Sequence, residues 1–280
     1  MFPPLPSIEP LLRLGCFVAV LAAMALWEAL APRRPLSSGR RVRWPSNLGA
    51  AFLGTLLVRI VFPASAVGWA LLGEQRGWGI LRAVDLPEWA RIVLSVVLLD
   101  LAIYFQHVLF HAVPALWRLH RMHHADLDFD VTTGIRFHPF EIVLSMGIKW
   151  LAIASLGTPA SSVLIFEIVL NATSLFNHGN VRLPRRLDRV LRWGVVTPDM
   201  HRVHHSVQPQ ETNSNFGFNA PWWDRLFGTY RDQPAAGHAA MTIGIERYRA
   251  PRDLWLDRML RMPWGGAPGP YPISSARDRS

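Results

Sequence analysis

Histidines in three short motifs are the residues of this sequence best suited to chemistry. His107 and His111 lie four residues apart, and the pattern H-x-x-H-H occurs at residues 120–124 and again at 201–205. Positions i, i+3 and i+4 of a helix lie on one face, so each motif can aim its imidazoles at a common point. Neutral imidazole binds iron, zinc, copper and nickel. The eight motif histidines are His107, His111, His120, His123, His124, His201, His204 and His205. Because a structural zinc takes only four ligands, this number of imidazoles suits two ions.

Long apolar runs must position these motifs. Half of the 280 residues are hydrophobic, and the runs at 11–31, 47–72 and 90–112 are each long enough to span a bilayer. Two shorter runs, 140–157 and 159–176, are separated by a Gly-Thr-Pro turn and indicate a hairpin whose two ends emerge on the same side. The sequence therefore predicts an all-α integral membrane bundle of about four spanning or hairpin helices, with a histidine-rich helical cap.

The distribution of charge orients this bundle. Residues 32–46 carry five Arg and no acidic residue, and arginine-rich loops of this kind lie in the cytoplasm. The loop at 73–89 is close to neutral and is assigned to the outside. This topology places all three motifs on the cytoplasmic side of an inner or plasma membrane. A cleaved signal peptide is the alternative for residues 11–31, but the topology requires that helix to stay.

The chain divides into three predicted domains. Residues 1–89 form a two-span membrane anchor, 90–235 a histidine-box catalytic domain, and 236–280 a C-terminal tail that is partly disordered. Residues 182–192 are a basic amphipathic stretch that fits either an anionic lipid surface or a solvated helix face. Because the net charge of +9 comes from arginines beside apolar runs, we expect a membrane partner and no nucleic acid. His238 is expected to be exposed.

Further motifs surround the histidines. They are HPFE at 138–141, NHGN at 177–180, TPDMHRVHHS at 197–206, NSNFG at 213–217 and WWDRLFGTY at 222–230. With the three histidine motifs, they resemble the fatty acid hydroxylase / sterol desaturase superfamily over about residues 90–230. The resemblance implies a membrane oxygenase with two iron ions, O₂ as co-substrate and a lipid or sterol substrate. It also implies electrons from NAD(P)H, delivered by a separate ferredoxin, cytochrome or reductase. Members hydroxylate, desaturate or demethylate, and the fold does not select among these reactions.

Carried over to this sequence, the resemblance makes the eight motif histidines metal ligands and His178 of NHGN a ninth. His138 could be a ligand, an orienting group or a helix-entry residue, and we favour the orienting role. Asp100 and Asp199 are further candidates to orient ligands, because metal-bound imidazole donates its other N–H to a carboxylate or carbonyl. An ion pair with Arg59 is an equally good prediction for Asp100, and Asp199 could instead cap a helix.

Two other classes of function use histidine clusters. A metal transporter predicts ligands at the bilayer midplane with access from both sides. A di-zinc hydrolase predicts a carboxylate general base among the ligands. The first histidine motif lies at the end of a span and the others lie in segments on the cytoplasmic side, which argues against a transporter. No carboxylate lies between the histidines of any motif, which argues against a hydrolase. The oxygenase interpretation is therefore preferred.

Overall fold

Helices form almost all of the regular structure. The computed structural model describes residues 5–274, a range without β-strands in which isolated bridges join Pro32 to Val181 and Ser206 to Ile243. Its α-helices are α1 (Leu5–Leu30), α2 (Arg40–Val61), α3 (Ala66–Arg76), α4 (Glu88–Ala112), α5 (Pro114–His124), α6 (Pro139–Leu156), α7 (Ala160–Asn177), α8 (Arg185–Leu191), α9 (Pro198–His204), α10 (Pro209–Thr212), α11 (Trp222–Leu226), α12 (Gly237–Ala240) and α13 (Leu256–Arg261). Short 3₁₀ turns occupy Ile80–Arg82, Val131–Ile135, Pro251–Leu254 and Met262–Trp264.

Five segments of the described range are long and apolar enough to cross a membrane. They are Ile8–Leu30, Arg40–Arg76, Glu88–Ala112, Pro139–Leu156 and Ala160–Asn177. The predicted all-helical membrane bundle is confirmed, with five such segments where about four were predicted. The two helices of the predicted hairpin, α6 and α7, are each long enough to cross the membrane. Each has 18 residues and extends about 27 Å, close to the thickness of the hydrocarbon core. The chain is an integral membrane protein.

The second of these segments is broken between α2 and α3. Pro63 lies in the break, as expected for a residue that lacks a backbone N–H and clashes with the preceding turn. Ser65 then caps α3, and its hydroxyl accepts a hydrogen bond from the N–H of Gly68 at 3.1 Å. The break lets Trp69 of α3 stack on Trp150 of α6, with ring centroids 4.1 Å apart.

The helices share a core around α3, α4, α6 and α7. Leu99, Ile153, Val163 and Phe166 are among its buried side chains. Helix α1 lies against α7, and α2 lies against α6. In a bilayer such helices associate through van der Waals contact and interhelical hydrogen bonds, since lipid is as apolar as the core.

The α6–α7 turn contacts the connection between α3 and α4. Gly157 ends α6 with φ 71°, and a Cβ there would lie 2.1 Å from the carbonyl oxygen of Trp78. A Cβ on Gly79 would lie 1.9 Å from the backbone nitrogen of Gly157. The hairpin therefore reaches the end of the bundle opposite to the histidine motifs.

We expect Gly157→Ala to lower the free energy of unfolding by more than about 2 kcal/mol, because alanine meets both strain at positive φ and a backbone clash. Gly77→Ala is the matched control, since Gly77 has φ 67° but open space around its Cβ position. Thermal unfolding of the detergent-purified variants measures both effects. Equal destabilisation by the two substitutions would contradict a role for the close backbone contact.

The cap consists of residues 113–138 and 178–274. It covers the end of the bundle at which α4 and α7 finish and α6 begins. Within the predicted tail, 236–280, residues as far as Tyr271 pack as part of the cap. Met262 and Tyr271 are buried in one apolar cluster with Trp117 of α5. Residues 275–280 lie outside the described range.

Helices α1 and α2 also form hydrogen bonds and ion pairs with the cap. The carboxylate of Glu28, at the end of α1, accepts hydrogen bonds from two backbone N–H groups of the cap at 2.7 and 2.8 Å. Arg43 of α2 donates to Asp126 and Asp130 at 2.6 Å each. Residues 1–89 therefore do more than anchor the chain, and the division into three domains remains a prediction.

Candidate metal centre

Nine buried imidazoles meet where α4, α5, α7 and α9 come together. The first group contains His107, His111, His120, His124 and His204, and the second contains His123, His178, His201 and His205. Within each group the candidate ligand nitrogens all lie within 4.8 Å of one another. The groups adjoin, with the ring centroids of His124 and His205 4.6 Å apart. All nine histidines predicted as ligands are thus brought together.

Each H-x-x-H-H motif divides between the two groups, which differs from the expected single point of convergence. His120 and His124 belong to the first group, whereas His123 belongs to the second. The 201–205 motif divides in the opposite sense, with only His204 in the first group. At about 100° per residue, positions i and i+4 differ by about 40°, whereas i+3 lies about 60° to the other side. An i, i+4 pair therefore shares one group, and the i+3 imidazole turns toward the other.

In five of these histidines, Nδ1 lies within hydrogen-bond distance of an acceptor oxygen. The pairs are His107 with Phe216 O (2.8 Å), His111 with Asn213 Oδ1 (3.1 Å), His120 with Glu141 Oε1 (2.6 Å), His178 with Ser174 O (2.8 Å) and His204 with Ser214 O (2.8 Å). Carbonyl and carboxylate oxygens only accept hydrogen bonds, so each Nδ1 carries the proton and each Nε2 offers a lone pair. Metal-ligating histidines are normally oriented in this way.

The ring nitrogens that point into the centre of each group are available to bind a metal ion. Within residues 5–274, Nε2 of His107, His111, His120 and His204 is buried and has no hydrogen-bond partner. In the second group, Nε2 of His178 lies 3.2 Å from Nε2 of His123 and 3.1 Å from Nε2 of His201. Nδ1 of His123 and of His201 and both ring nitrogens of His205 are also buried without a partner. Buried ring nitrogens without a partner are costly. A cation bound in each group would offset this cost, so the residues of both groups fit a metal ion.

Burial lowers the pKa of six clustered histidines of the cap. It is the main cause that lowers the pKa of His178 and of His204 to about 3. The pKa values of His123, His124, His201 and His205 lie well below the ordinary value, first through burial and then through repulsion by neighbouring imidazoles. Neutral imidazole is the form that binds a metal, so these ligands need lose no proton at neutral pH.

Glu141 contacts the candidate metal centre and was not predicted from the sequence as a site residue. Its Oε1 lies 2.6 Å from Nδ1 of His120, and its carboxylate is 4% exposed. The signal in the sequence was the HPFE motif, which puts a carboxylate in the first turn of α6. Only the fold brings that turn beside α5.

We expect Glu141→Ala to weaken metal binding by about 10- to 100-fold, because His120 loses the acceptor that orients its ring. Metal content after dialysis against a series of chelator concentrations measures the change. Glu88→Gln, at an exposed position on α4 far from the cap, is the control and should bind metal as the wild type does. Unchanged metal retention in Glu141→Ala would show that the carboxylate does not support this ligand.

Asp224 acts on the same centre through the backbone. Its two carboxylate oxygens accept hydrogen bonds from the N–H groups of Phe216 and Gly217 at 2.7 and 2.8 Å. The carbonyl of Phe216 in turn accepts from His107. Asp224 therefore positions a candidate ligand without contacting it.

The other candidate orienting residues contact no imidazole of either group. His138 begins α6, with Nδ1 accepting from the N–H of Phe140 at 3.2 Å, so it is placed as a helix-entry residue. Asp100 accepts from Trp223 Nε1 at 2.9 Å and not from His107, which lies two turns further along α4. No ion pair joins Asp100 to Arg59 in the described range.

Asp199 ties α9 to the segment before α2. Its carboxylate pairs with Arg33 at 3.1 Å and with Arg202. Asp199 also lies 3.8 Å from His238. The prediction that His238 is exposed is wrong, because this side chain is 6% exposed between the cap and that segment.

A cavity of about 860 Å³ leads to the first group of histidines. His107 and His120 line one end of it, beside Phe110. Leu14 of α1 and Phe52 of α2 also line the cavity, and they are 60% and 68% exposed. The cavity therefore opens between α1 and α2, on the lipid side of the bundle. Its size lies in the range of about 300–1,000 Å³ that is usual for small-molecule sites.

Comparison with known proteins matches this architecture to one family. The fatty acid hydroxylase family model covers residues 92–229. Ornithine lipid hydroxylase OlsE of Rhizobium tropici is 32% identical over 160 residues, which is 57% of this chain and 46% of that protein. Alkylglycerol monooxygenase of Xenopus tropicalis is 27% identical over 163 residues, or 55% of this chain and 34% of that protein.

Cholesterol 25-hydroxylase of Rattus norvegicus is 26% identical over 179 residues, or 62% of this chain and 57% of that protein. The chain thus spans between 34% and 57% of the length of these relatives. No solved structure matches the chain. The matched residues, 92–229, contain all nine clustered imidazoles and the helices that carry them. On this match, residues 92–229 belong to the fatty acid hydroxylase / sterol desaturase superfamily.

Proposed function

We propose that this protein is a membrane di-iron oxygenase that hydroxylates or desaturates an unactivated C–H position of a lipid or sterol. One observation carries the proposal. Two adjoining groups of buried imidazoles, several with an Nε2 that has no partner among the described residues, open through His107 and His120 onto a largely apolar cavity between α1 and α2. The relatives named ornithine lipid hydroxylase, alkylglycerol monooxygenase and cholesterol 25-hydroxylase support a lipid-like substrate.

In the hydroxylation reaction, one atom of O₂ enters the C–H bond and the other leaves as water, with two electrons and two protons supplied from outside. Two bound iron ions would supply the activation of O₂. The nine histidines would hold these ions, and Glu141 would keep the ring of His120 in place. The apolar lining of the cavity would position the substrate and exclude water. Electrons would come from NAD(P)H through a separate ferredoxin, cytochrome or reductase.

We propose a cytoplasmic cap in an inner or plasma membrane. Arg33 and Arg34, in the arginine-rich segment before α2, contact Asp199 and the carbonyl of Met241 in the cap. The cap and this segment thus lie at the same end of the bundle. Arginine-rich loops remain in the cytoplasm, so the cap would share that side.

The alternative functions have less support. Metal transport requires ligands near the bilayer midplane, whereas these groups lie at the cap end of α4. In a di-zinc hydrolase a carboxylate should be free to act as a base, whereas Glu141 is engaged by His120.

Metal analysis combined with lipid profiling tests the proposal. Purified protein should contain about two irons per chain and show O₂ uptake that depends on reductant. Lipids of a host that expresses the protein should include a species heavier by one oxygen or lighter by two hydrogens. Both should be absent with His204→Ala. Zinc alone, without O₂ uptake after reconstitution with iron, would overturn the proposal.

A further inference from the structure

The cavity that ends at His107 and His120 has charged residues at its other end. These residues, here the charged cluster, are Glu9, Arg13, Arg59, Lys149 and Glu167, and all of them line the cavity. Each belongs to one of the segments that are apolar enough to cross a membrane. Ionisable groups at this depth are costly, and in most membrane proteins they serve a function.

The cluster lies partway along the spanning helices, where Glu9 and Glu167 are buried, Arg13 and Lys149 are half-buried and Arg59 is exposed. Lys149 is the eleventh residue of the 18-residue helix α6, and the next residue, Trp150, makes an edge contact with Phe62 at a centroid distance of 4.8 Å. Arg59 is one helical turn before Phe62. Glu141 lies eight residues before Lys149 on the same helix, so about 12 Å separate the charged cluster from the metal centre along α6.

Ion pairs balance four of the five charges. Arg13 Nη1 lies 2.7 Å from Glu9 Oε1 and 3.1 Å from Glu167 Oε2. Lys149 Nζ lies 2.7 Å from the other oxygen of Glu167. Two cations and two carboxylates thus neutralise each other. This network alone would serve to hold α1, α6 and α7 together.

Arg59 is the unbalanced charge. Its exposed side chain lines the cavity and has no hydrogen bond or ion pair to any residue between 8 and 274. A guanidinium in a spanning helix requires an anion or water to offset its charge. Its planar fork suits the two oxygens of a carboxylate.

We propose that Arg59 binds an ionised carboxylate of an amphiphilic substrate, whose apolar chain then lies along the cavity toward His107 and His120. This inference rests on the proposed oxygenase function and makes Arg59 a residue that determines specificity. A carboxylate is favoured over a phosphate monoester, because its single charge matches the one unbalanced guanidinium, whereas the monoester carries about 1.5 to 2 negative charges. The distance from Arg59 to the metal centre would then select the carbon that is oxidised.

Photo-cross-linking tests this inference without turnover. The probes are palmitic acid with a diazirine at its methyl end and the methyl ester of the same compound. Each is irradiated with the full-length chain in detergent, and the labelled peptides are identified by mass spectrometry. The acid should label the cavity end near Phe137, and unlabelled palmitate should compete. The ester should label that end much less.

Arg59→Gln should reduce labelling by the acid about tenfold or more, through loss of a charge-assisted pair, and should leave labelling by the ester unchanged. Arg59→Lys should retain most of the labelling. Arg41→Gln, an exposed position on the same helix, is the matched control and should behave as the wild type.

Equal labelling of the wild type by acid and ester would overturn the inference. So would wild-type labelling by the acid in Arg59→Gln, or an equal loss with both probes accompanied by a lower melting temperature. The last result would mean that Arg59 only stabilises the bundle.

A chain that labels as expected but yields no oxidised lipid would count against the oxygenase function alone. A chain that oxidises lipid but labels equally with both probes would count against the role of Arg59 alone.

Discussion

Replacing His178 with alanine is expected to reduce bound metal from about two ions per chain to about one, and to lower turnover by at least about 10³-fold. His178 contributes one of the four imidazoles of the second group, and its Nε2 lies within 3.2 Å of two others. Removing it leaves three nitrogens around one ion, while the first group keeps all five. Elemental analysis gives the metal content, and oxidised lipid per chain gives the turnover.

The same substitution at His238 is the control for this experiment. His238 is also a buried histidine of the cap, but it belongs to neither group. His238→Ala should retain both metal ions. Full metal content and full turnover in His178→Ala would remove this histidine from the set of ligands. Loss of both ions would instead mean that metal binding by the first group requires metal in the second group.

Replacing Arg43 with methionine is expected to destabilise the protein by about 3–5 kcal/mol, because it leaves two buried carboxylates without their partner. The Arg43 side chain is fully buried, and it lies 2.6 Å from one oxygen of Asp126 and 2.6 Å from Asp130. These contacts join α2 to the cap. Thermal unfolding of the purified protein measures the loss, and Arg41→Met, at an exposed position on α2, should have little effect.

The pH dependence of the same variant gives a second measurement. Burial alone would raise the pKa of Asp126, but Arg43 and Arg136 outweigh it and bring that pKa to about 2. In the wild type this carboxylate therefore contributes stability above its unfolded pKa, and the contribution is lost as the pH falls toward 2. Without Arg43, we expect the pKa of Asp126 to lie above its unfolded value, so that protonation at low pH no longer destabilises the folded variant. The difference in free energy of unfolding between wild type and variant should therefore narrow as the pH is lowered. A constant difference would contradict the assigned role of the ion pair.

Features that depend on neighbouring residues along the chain could be predicted from the sequence. The apolar runs at 90–112, 140–157 and 159–176 correspond to α4, α6 and α7 within a few residues. The break near Pro63 follows from the chemistry of proline. The clustering of the nine histidines was also expected, because the spacing within each motif is that of a helical turn and the topology placed all motifs on one side.

Contacts between distant segments could not be predicted in this way. Asp100 was a candidate to orient a ligand, yet it accepts a hydrogen bond from Trp223 of α11. His107, His120 and His204 are instead oriented by the carbonyl of Phe216, the carboxylate of Glu141 and the carbonyl of Ser214. Backbone carbonyls leave no trace in residue types, so a search for carboxylates near histidines was bound to miss them.

By itself, the sequence determined that this protein is a helical membrane bundle with enough imidazoles for two metal ions, because hydrophobic length and helical spacing are local properties. The tertiary structure decided how the H-x-x-H-H motifs divide between the two groups. It also decided that Arg43 of the second span supports the cap and that Arg59 faces the cavity beyond the metal centre. These features depend on the rotation and approach of helices far apart in the chain, which no local pattern encodes.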